Sequence, residues 1–196
     1  ALSHYGEDIP LACVGVISKV NILMLGFTLG ISQGCQPIFS YNYGARQYSR
    51  VREAYRKAIV AASIICCIAF VCFQLFPRPI VALFDPSGSE EYFQFAERYF
   101  RIYMFMTLAN AFQPITANFF TSIGKAKRGA LIALTRQVIF LIPLILIFPL
   151  FLGIDGVMYA GPIADSAAVV VALALVTREM KRMPHVDEPV AADTPV

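Results

Sequence analysis

The sequence predicts an all-α fold, a polytopic bundle of five membrane-spanning helices, and three observations carry that expectation. Hydrophobic residues make up 58% of the 196 and charged residues only 15%, too apolar a balance for a soluble domain. Residues 58–77, AIVAASIICCIAFVCFQLFP, are uncharged between Lys57 and Arg78. As a helix they reach about 30 Å, one bilayer crossing. A soluble core made of such segments would also need amphipathic helices to cover it, and the chain has none to spare.

The five spans are expected over residues 9–43, 50–76, 90–124, 127–152 and 156–182, each longer than the hydrocarbon layer requires and therefore tilted. The first is uncharged over residues 20–45 and contains GISQGCQPIFSYNYGAR. Gly26, Gly30 and Gly34 recur every four residues and share a face on which another helix can approach closely. Gln33 and Gln36 stand one turn apart, and Pro37, with no backbone donor, frees a carbonyl near Gln33. The second span is the uncharged run already quoted. Between it and the third, RPIVALFDPSGSEEYFQFAER has an IVALF core too short to cross and a turn at Asp85-Pro86-Ser87-Gly88, so it should lie along the membrane face. The third span is uncharged over residues 102–124, and its Gln113-Pro114-Ile115 with Asn118 echoes Gln36-Pro37-Ile38 with Asn42. The fourth is rich in Leu, Ile and Phe; the fifth carries one internal charge, Asp165. The tail, residues 183–196, is Pro- and Ala-rich without apolar periodicity and is expected to be disordered.

Lysines and arginines divide the loops. Arg46, Arg50, Arg52, Arg56 and Lys57 follow span one, Lys125, Lys127 and Arg128 follow span three, and Arg178, Lys181 and Arg182 follow span five. The opposite side holds Glu7, Asp8, Asp85, Glu90, Glu91, Glu97 and Asp155 against Arg78, Arg98 and Arg101. The positive-inside rule then places the C-terminus in the cytoplasm and the N-terminus outside. Residues 1–8 are polar and read as no secretory signal, and the missing initial Met suggests a piece of a longer chain.

Uncharged amides in a span point to a partner helix or a wet cavity. Gln33, Gln36, Asn42, Gln113 and Asn118 are therefore either lining a translocation path or holding helices together, and both readings stay open. Met24, Phe27, Met104, Phe105 and Met106 could form an adaptable apolar wall, although lipid or core is the default for such positions. Lys19 can snorkel to the outer interface and Arg136 to the inner one. Asp165 cannot, because the twelve uncharged residues 166–177 do not suffice for a crossing. Its expected state is a neutral acid bonded to hydroxyls or carbonyls, with Lys19 slightly ahead of Arg136 as a charged partner.

The five cysteines have no zinc or redox spacing, no nucleophile or paired-carboxylate constellation appears, and no cofactor is called for. Enzyme chemistry is thereby disfavoured. With a net charge of +3 and no aromatic-interleaved basic patch, nucleic acid is an unsuited partner.

The stretches YGEDIPLACVGVISKVNILML, SQGCQPIFSYNYGA, the junction of Gly124, Lys125, Lys127 and Arg128, and Pro162-Ile163-Ala164-Asp165 occur in an order that resembles the C-terminal half of the multidrug and toxic compound extrusion (MATE) family. The resemblance implies a twelve-helix transporter of two six-helix lobes, exporting drugs or organic cations in exchange for protons or sodium ions across the cell's inner (plasma) membrane. Residues 1–182 would then be helices eight to twelve, with the N-terminal lobe and the seventh helix as missing partners beside the lipid bilayer. Some family members carry a cation-binding acid in the third span of this lobe; residues 102–124 contain none. The competing expectations are a lipid-linked saccharide flippase of the same superfamily and a non-transporting membrane scaffold.

Overall fold

The computed structural model describes residues 8–84, 89–184 and 187, with side chains throughout except at 8–11, 110, 152–155, 157 and 158. Helix α1 (Asp8–Gly44) runs for 37 residues through Pro37, and α2 (Tyr48–Leu75) for 28. Their turn is closed by Gln47 N–H donating to the Asn42 carbonyl and Arg46 N–H to the Tyr43 carbonyl, with Arg46 itself at φ +57°. A non-glycine residue in that left-handed region costs roughly 1–2 kcal/mol. Gly44 lies two positions too early to take it.

The segment expected to lie along the membrane face begins with a short helix, α3 (Pro77–Phe84), which buries Val81. The turn at 85–88 and the acids Glu7 and Asp85 fall outside the described residues, and the side chain of Asp155 does too. Helix α4 (Glu90–Met104) starts at Ser89, whose hydroxyl accepts from Tyr92 N–H, with Glu90 and Glu91 in the first turn. These are the residues that satisfy and complement a helix N-terminus.

Here the expected third span differs. Instead of one helix over 90–124, α4 passes through a 3₁₀ turn (Phe105–Leu108, Met106 at φ −93°, ψ 23°) into α5 (Ala109–Ser122). Among the described residues, four helical stretches are long and apolar enough to cross a membrane: Ala12–Gly44, Tyr48–Leu75, Ala126–Phe151 and Tyr159–Arg182. The expected third span is this jointed pair, which is not among them. Pro114 removes a ladder donor within α5, and the Thr107 hydroxyl bonds the Met104 carbonyl at 2.6 Å as the turn tightens. A periodicity reading registers the apolar run but not the break in it.

Gly124, at φ +76°, ends α5, with Lys125 N–H returning to the Phe120 carbonyl. Helix α6 (Ala126–Leu134) continues through a π segment (Thr135–Leu141) into α7 (Ile142–Arg182). Pro143 lacks the N–H that would continue the ladder, which accounts for the register shift just before it. Helix α7 is not straight. Arg136 and Asp165 are 29 residues apart, about 43 Å along a rod, yet meet at 2.5 Å. A Cβ on Gly156 would lie 2.5 Å from the Phe148 carbonyl oxygen, so the chain doubles back beside Pro149 into two arms, the expected fourth and fifth spans.

Two devices hold the bundle. Phe39 and Phe119 are fully buried with ring centroids 5.4 Å apart, and Tyr55 packs on Phe119 at 5.0 Å while its hydroxyl bonds that of Thr116 at 2.7 Å. The returning arm of α7 buries Ala160, Ala164, Ala168 and Ala172, a four-residue repeat of small side chains that lets helices approach closely. The stripe of Gly26, Gly30 and Gly34, expected to pack, meets nothing: a Cβ at each would have no neighbour within 4 Å. No helix among the described residues covers it.

All three basic clusters gather at one end. Arg52 donates to the Pro184 carbonyl at 3.1 and 3.2 Å, and Lys125 and Arg128 both pair with Glu179. At the other end Arg78 pairs with Glu90 at 2.5 Å and Gln74 donates to the Arg101 carbonyl. Of the tail expected to be disordered, residues 183, 184 and 187 are described. The Asp187 carboxylate accepts from the Ser49 amide and hydroxyl, which hold it below the usual carboxylate range.

Candidate functional site

The five amides divide into two groups. Gln33 and Gln36 are exposed on α1, on the side of the bundle left open by this chain. Leu23, Phe27 and Tyr41 continue that open face, 60%, 60% and 74% exposed, alongside Gly26, Gly30 and Gly34. The face is apolar at both ends and carries amides and glycines at its middle. Asn42, half-buried next to Tyr41, bonds back to the Ile38 carbonyl at 2.8 Å.

Gln113 and Asn118 turn inward instead. The Asn118 amide donates to the Ser32 hydroxyl at 2.7 Å, and that hydroxyl donates to the Pro114 carbonyl at 3.2 Å. Gln113 donates to the Ile132 carbonyl on α6 at 3.3 Å. The two Gln-Pro-Ile devices are thus alike in sequence and different in setting: one faces out of the bundle, the other ties α5 to α1 and α6. Of the apolar-wall residues, Met24 and Met104 are buried, whereas Phe27 and Phe105 are exposed.

The buried charge also resolves differently from expectation. Asp165 is neither bonded to hydroxyls nor near Lys19, which sits exposed on α1; its carboxylate meets the Arg136 guanidinium at 2.5 Å, with side chains only 13% and 19% exposed. Arg136 therefore does not snorkel. It lies in the π segment, where the altered register turns a residue that would otherwise head for the interface onto the returning arm of α7. Gly161, on the same arm, permits close approach of Tyr103: a Cβ there would stand 2.9 Å from the ring.

Glu179 was not legible as a special residue. Sequence TREMKR reads as a solvated helix end, yet Glu179 is 1% exposed and holds both Lys125 and Arg128. The signal that could have found it is an acid set within the last of three basic clusters assigned to one end, where cations from the other clusters can reach it.

The fold and these intramembrane polar groups define an integral, multi-pass helical membrane protein. The MatE family model matches residues 1–147, and the chain belongs to that family, whose members are transporters rather than enzymes. It is 22% identical over 175 residues to the multidrug export protein MepA of Staphylococcus aureus (strain bovine RF122 / ET3-1), covering 89% of this chain and 38% of that protein. To the MepA of Staphylococcus haemolyticus (strain JCSC1435) it is 23% identical over the same coverage. An outward-facing structure of a multidrug resistance MATE family transporter of the MOP superfamily superposes with a TM-score of 0.84 at 20% identity, over 91% of this chain and 40% of that one. An inward-facing structure of such a transporter gives 0.79 at 18%, over 89% and 42%. The chain thus spans about two fifths of the length of the relatives it matches.

Proposed function

We propose that the chain is the greater part of the C-terminal lobe of a multidrug efflux antiporter of the plasma membrane, exporting small organic cations in exchange for protons or sodium ions, with its basic end and C-terminus in the cytoplasm. The observation that carries this reading is the open face of α1. Amides in a membrane helix are costly against lipid. Here Gln33 and Gln36 stand exposed among Gly26, Gly30 and Gly34, on a surface that no helix among the described residues covers. A first lobe meeting that surface across a wet cleft accounts for both the amides and the glycines, and the relatives' additional length is where such a lobe would come from.

In this mechanism α1 is the wall of the path and α5 its support. The Asn118–Ser32–Pro114 hydrogen bonds couple the two helices, so α1 moves with the bundle as one body during alternating access. Asp165 serves order rather than coupling: its carboxylate is engaged by Arg136 and ties the π segment to the returning arm of α7.

Cysteines at Gln33 and Gln36, introduced into a cysteine-free version of the complete transporter, test the path. A water-soluble thiol reagent should modify both, and bound substrate should slow the reaction several-fold. Inert thiols would leave the glutamines as packing groups and favour a scaffold.

A further inference from the structure

A cleft of about 480 Å³ opens between α1 and α2 near the basic end, and its lining changes character along its length. On α1 it is formed by Ile31, Cys35, Ile38 and Asn42, spaced at helical intervals on one stripe; on α2 the facing stripe is Arg50, Glu53, Ala54, Lys57, Ala58 and Ala61. The cleft exists because alanines stand at 54, 58 and 61, where larger side chains would close it against α1. Its volume lies within the roughly 300–1,000 Å³ of small-ligand clefts.

The position of the polar end matters more than its presence. Lys57 is the last charge before the uncharged run 58–77, so it marks the edge of the hydrocarbon layer on α2. Arg50 and Lys57 therefore stand in the headgroup layer, while Ile31, Cys35, Ala58 and Ala61 lie at acyl-chain depth. Glu53 offsets part of the charge by pairing with Lys57 at 2.7 Å. The cleft has a cationic mouth at the interface and an apolar floor below it.

We propose that this cleft is a binding site for an anionic phospholipid, its phosphate between Arg50 and Lys57 and one acyl chain along the alanine stripe. A zwitterionic lipid would bring a cation to a mouth that is already positive. A soluble anion would leave the apolar floor empty. The inference rests on the membrane reading but not on the transport reading or the orientation, since it needs only a bilayer around α1 and α2.

Each basic residue near a membrane surface favours anionic lipid by roughly 5-fold, so two could give ~25-fold; Glu53 reduces the expected preference to on the order of 5-fold. The chain contains no tryptophan, so Ile64→Trp supplies a single fluorophore at an exposed position two turns beyond Lys57 on the same stripe. In vesicles of phosphatidylcholine doped with acyl-brominated phosphatidylglycerol or acyl-brominated phosphatidylcholine, the phosphatidylglycerol should quench that fluorophore at about 5-fold lower mole fraction. Arg50→Gln with Lys57→Gln should equalise the two, and Arg50→Lys with Lys57→Arg should retain the preference. Equal quenching in the parent, quenching by neither lipid because protein covers the cleft, or a preference that survives the double glutamine change would each overturn the proposal. Helicity by circular dichroism confirms that every variant is folded before it is scored.

Discussion

At the scale of single residues, the pair between Asp165 and Arg136 is the sharpest departure from what the sequence suggested. Removing one partner of a buried ion pair leaves an uncompensated charge and costs about 3–5 kcal/mol, whereas replacing both with apolar residues is often neutral or stabilising. Asp165→Leu alone should therefore strongly lower the thermal midpoint in detergent, and adding Arg136→Leu should restore most of the loss. If export by the complete transporter also survives in that double variant, the pair orders the lobe; a folded double variant that exchanges substrate but cannot concentrate it would return Asp165 to the coupling machinery. Asp165 could be singled out from the sequence because twelve uncharged residues cannot carry it to the interface. Arg136 was named as a possible partner but ranked below Lys19, because side-chain reach along a straight helix favoured snorkelling and the register shift before Pro143 was not anticipated. Glu179 was missed for a related reason: its two cations are more than fifty positions away in sequence.

Between elements, the tightest test is where α5 crosses α6. A Cβ on Gly129 would lie 2.6 Å from the Ala117 carbonyl oxygen and 2.7 Å from the Thr121 hydroxyl, and the carbonyl belongs to backbone that cannot rotate away. Gly129→Ala should separate the two helices and destabilise the bundle by roughly 1–3 kcal/mol, read as a lowered unfolding midpoint in detergent; the same change at Gly30, whose Cβ would meet nothing within 4 Å of this chain, should leave the isolated chain's midpoint nearly unchanged. An unaffected Gly129→Ala would mean that this crossing is looser than described. The glycine repeat of α1 was legible as a close-approach surface, while the alanine repeat of α7 at 160, 164, 168 and 172 does the packing within the chain. Both repeats have the same spacing. Which one is covered depends on what folds against it.

For the whole molecule, the charge asymmetry has a direct consequence. Ser49 and Lys127 belong to the basic end, so cysteines placed there in a cysteine-free complete transporter should be labelled only from the cytoplasm, and external labelling of position 49 would reverse the orientation. The sequence by itself determined the helical class, the approximate places of the traverses and the gathering of three basic clusters at one end, because apolar run length and loop charge act locally and can be counted. It also determined the family resemblance, since SQGCQPIFSYNYGA and the junction at residues 124–128 are short linear patterns. Only the tertiary structure decided that the expected third span is jointed at Phe105–Leu108, that Gln113 and Asn118 turn inward while Gln33 and Gln36 face out, and that Arg136 rather than Lys19 meets Asp165. The physical reason is common to all three. Helical period fixes which residues share a stripe, but the rotation of each stripe and the partner it finds are set by proline and π-segment register shifts and by contacts between residues distant in the chain.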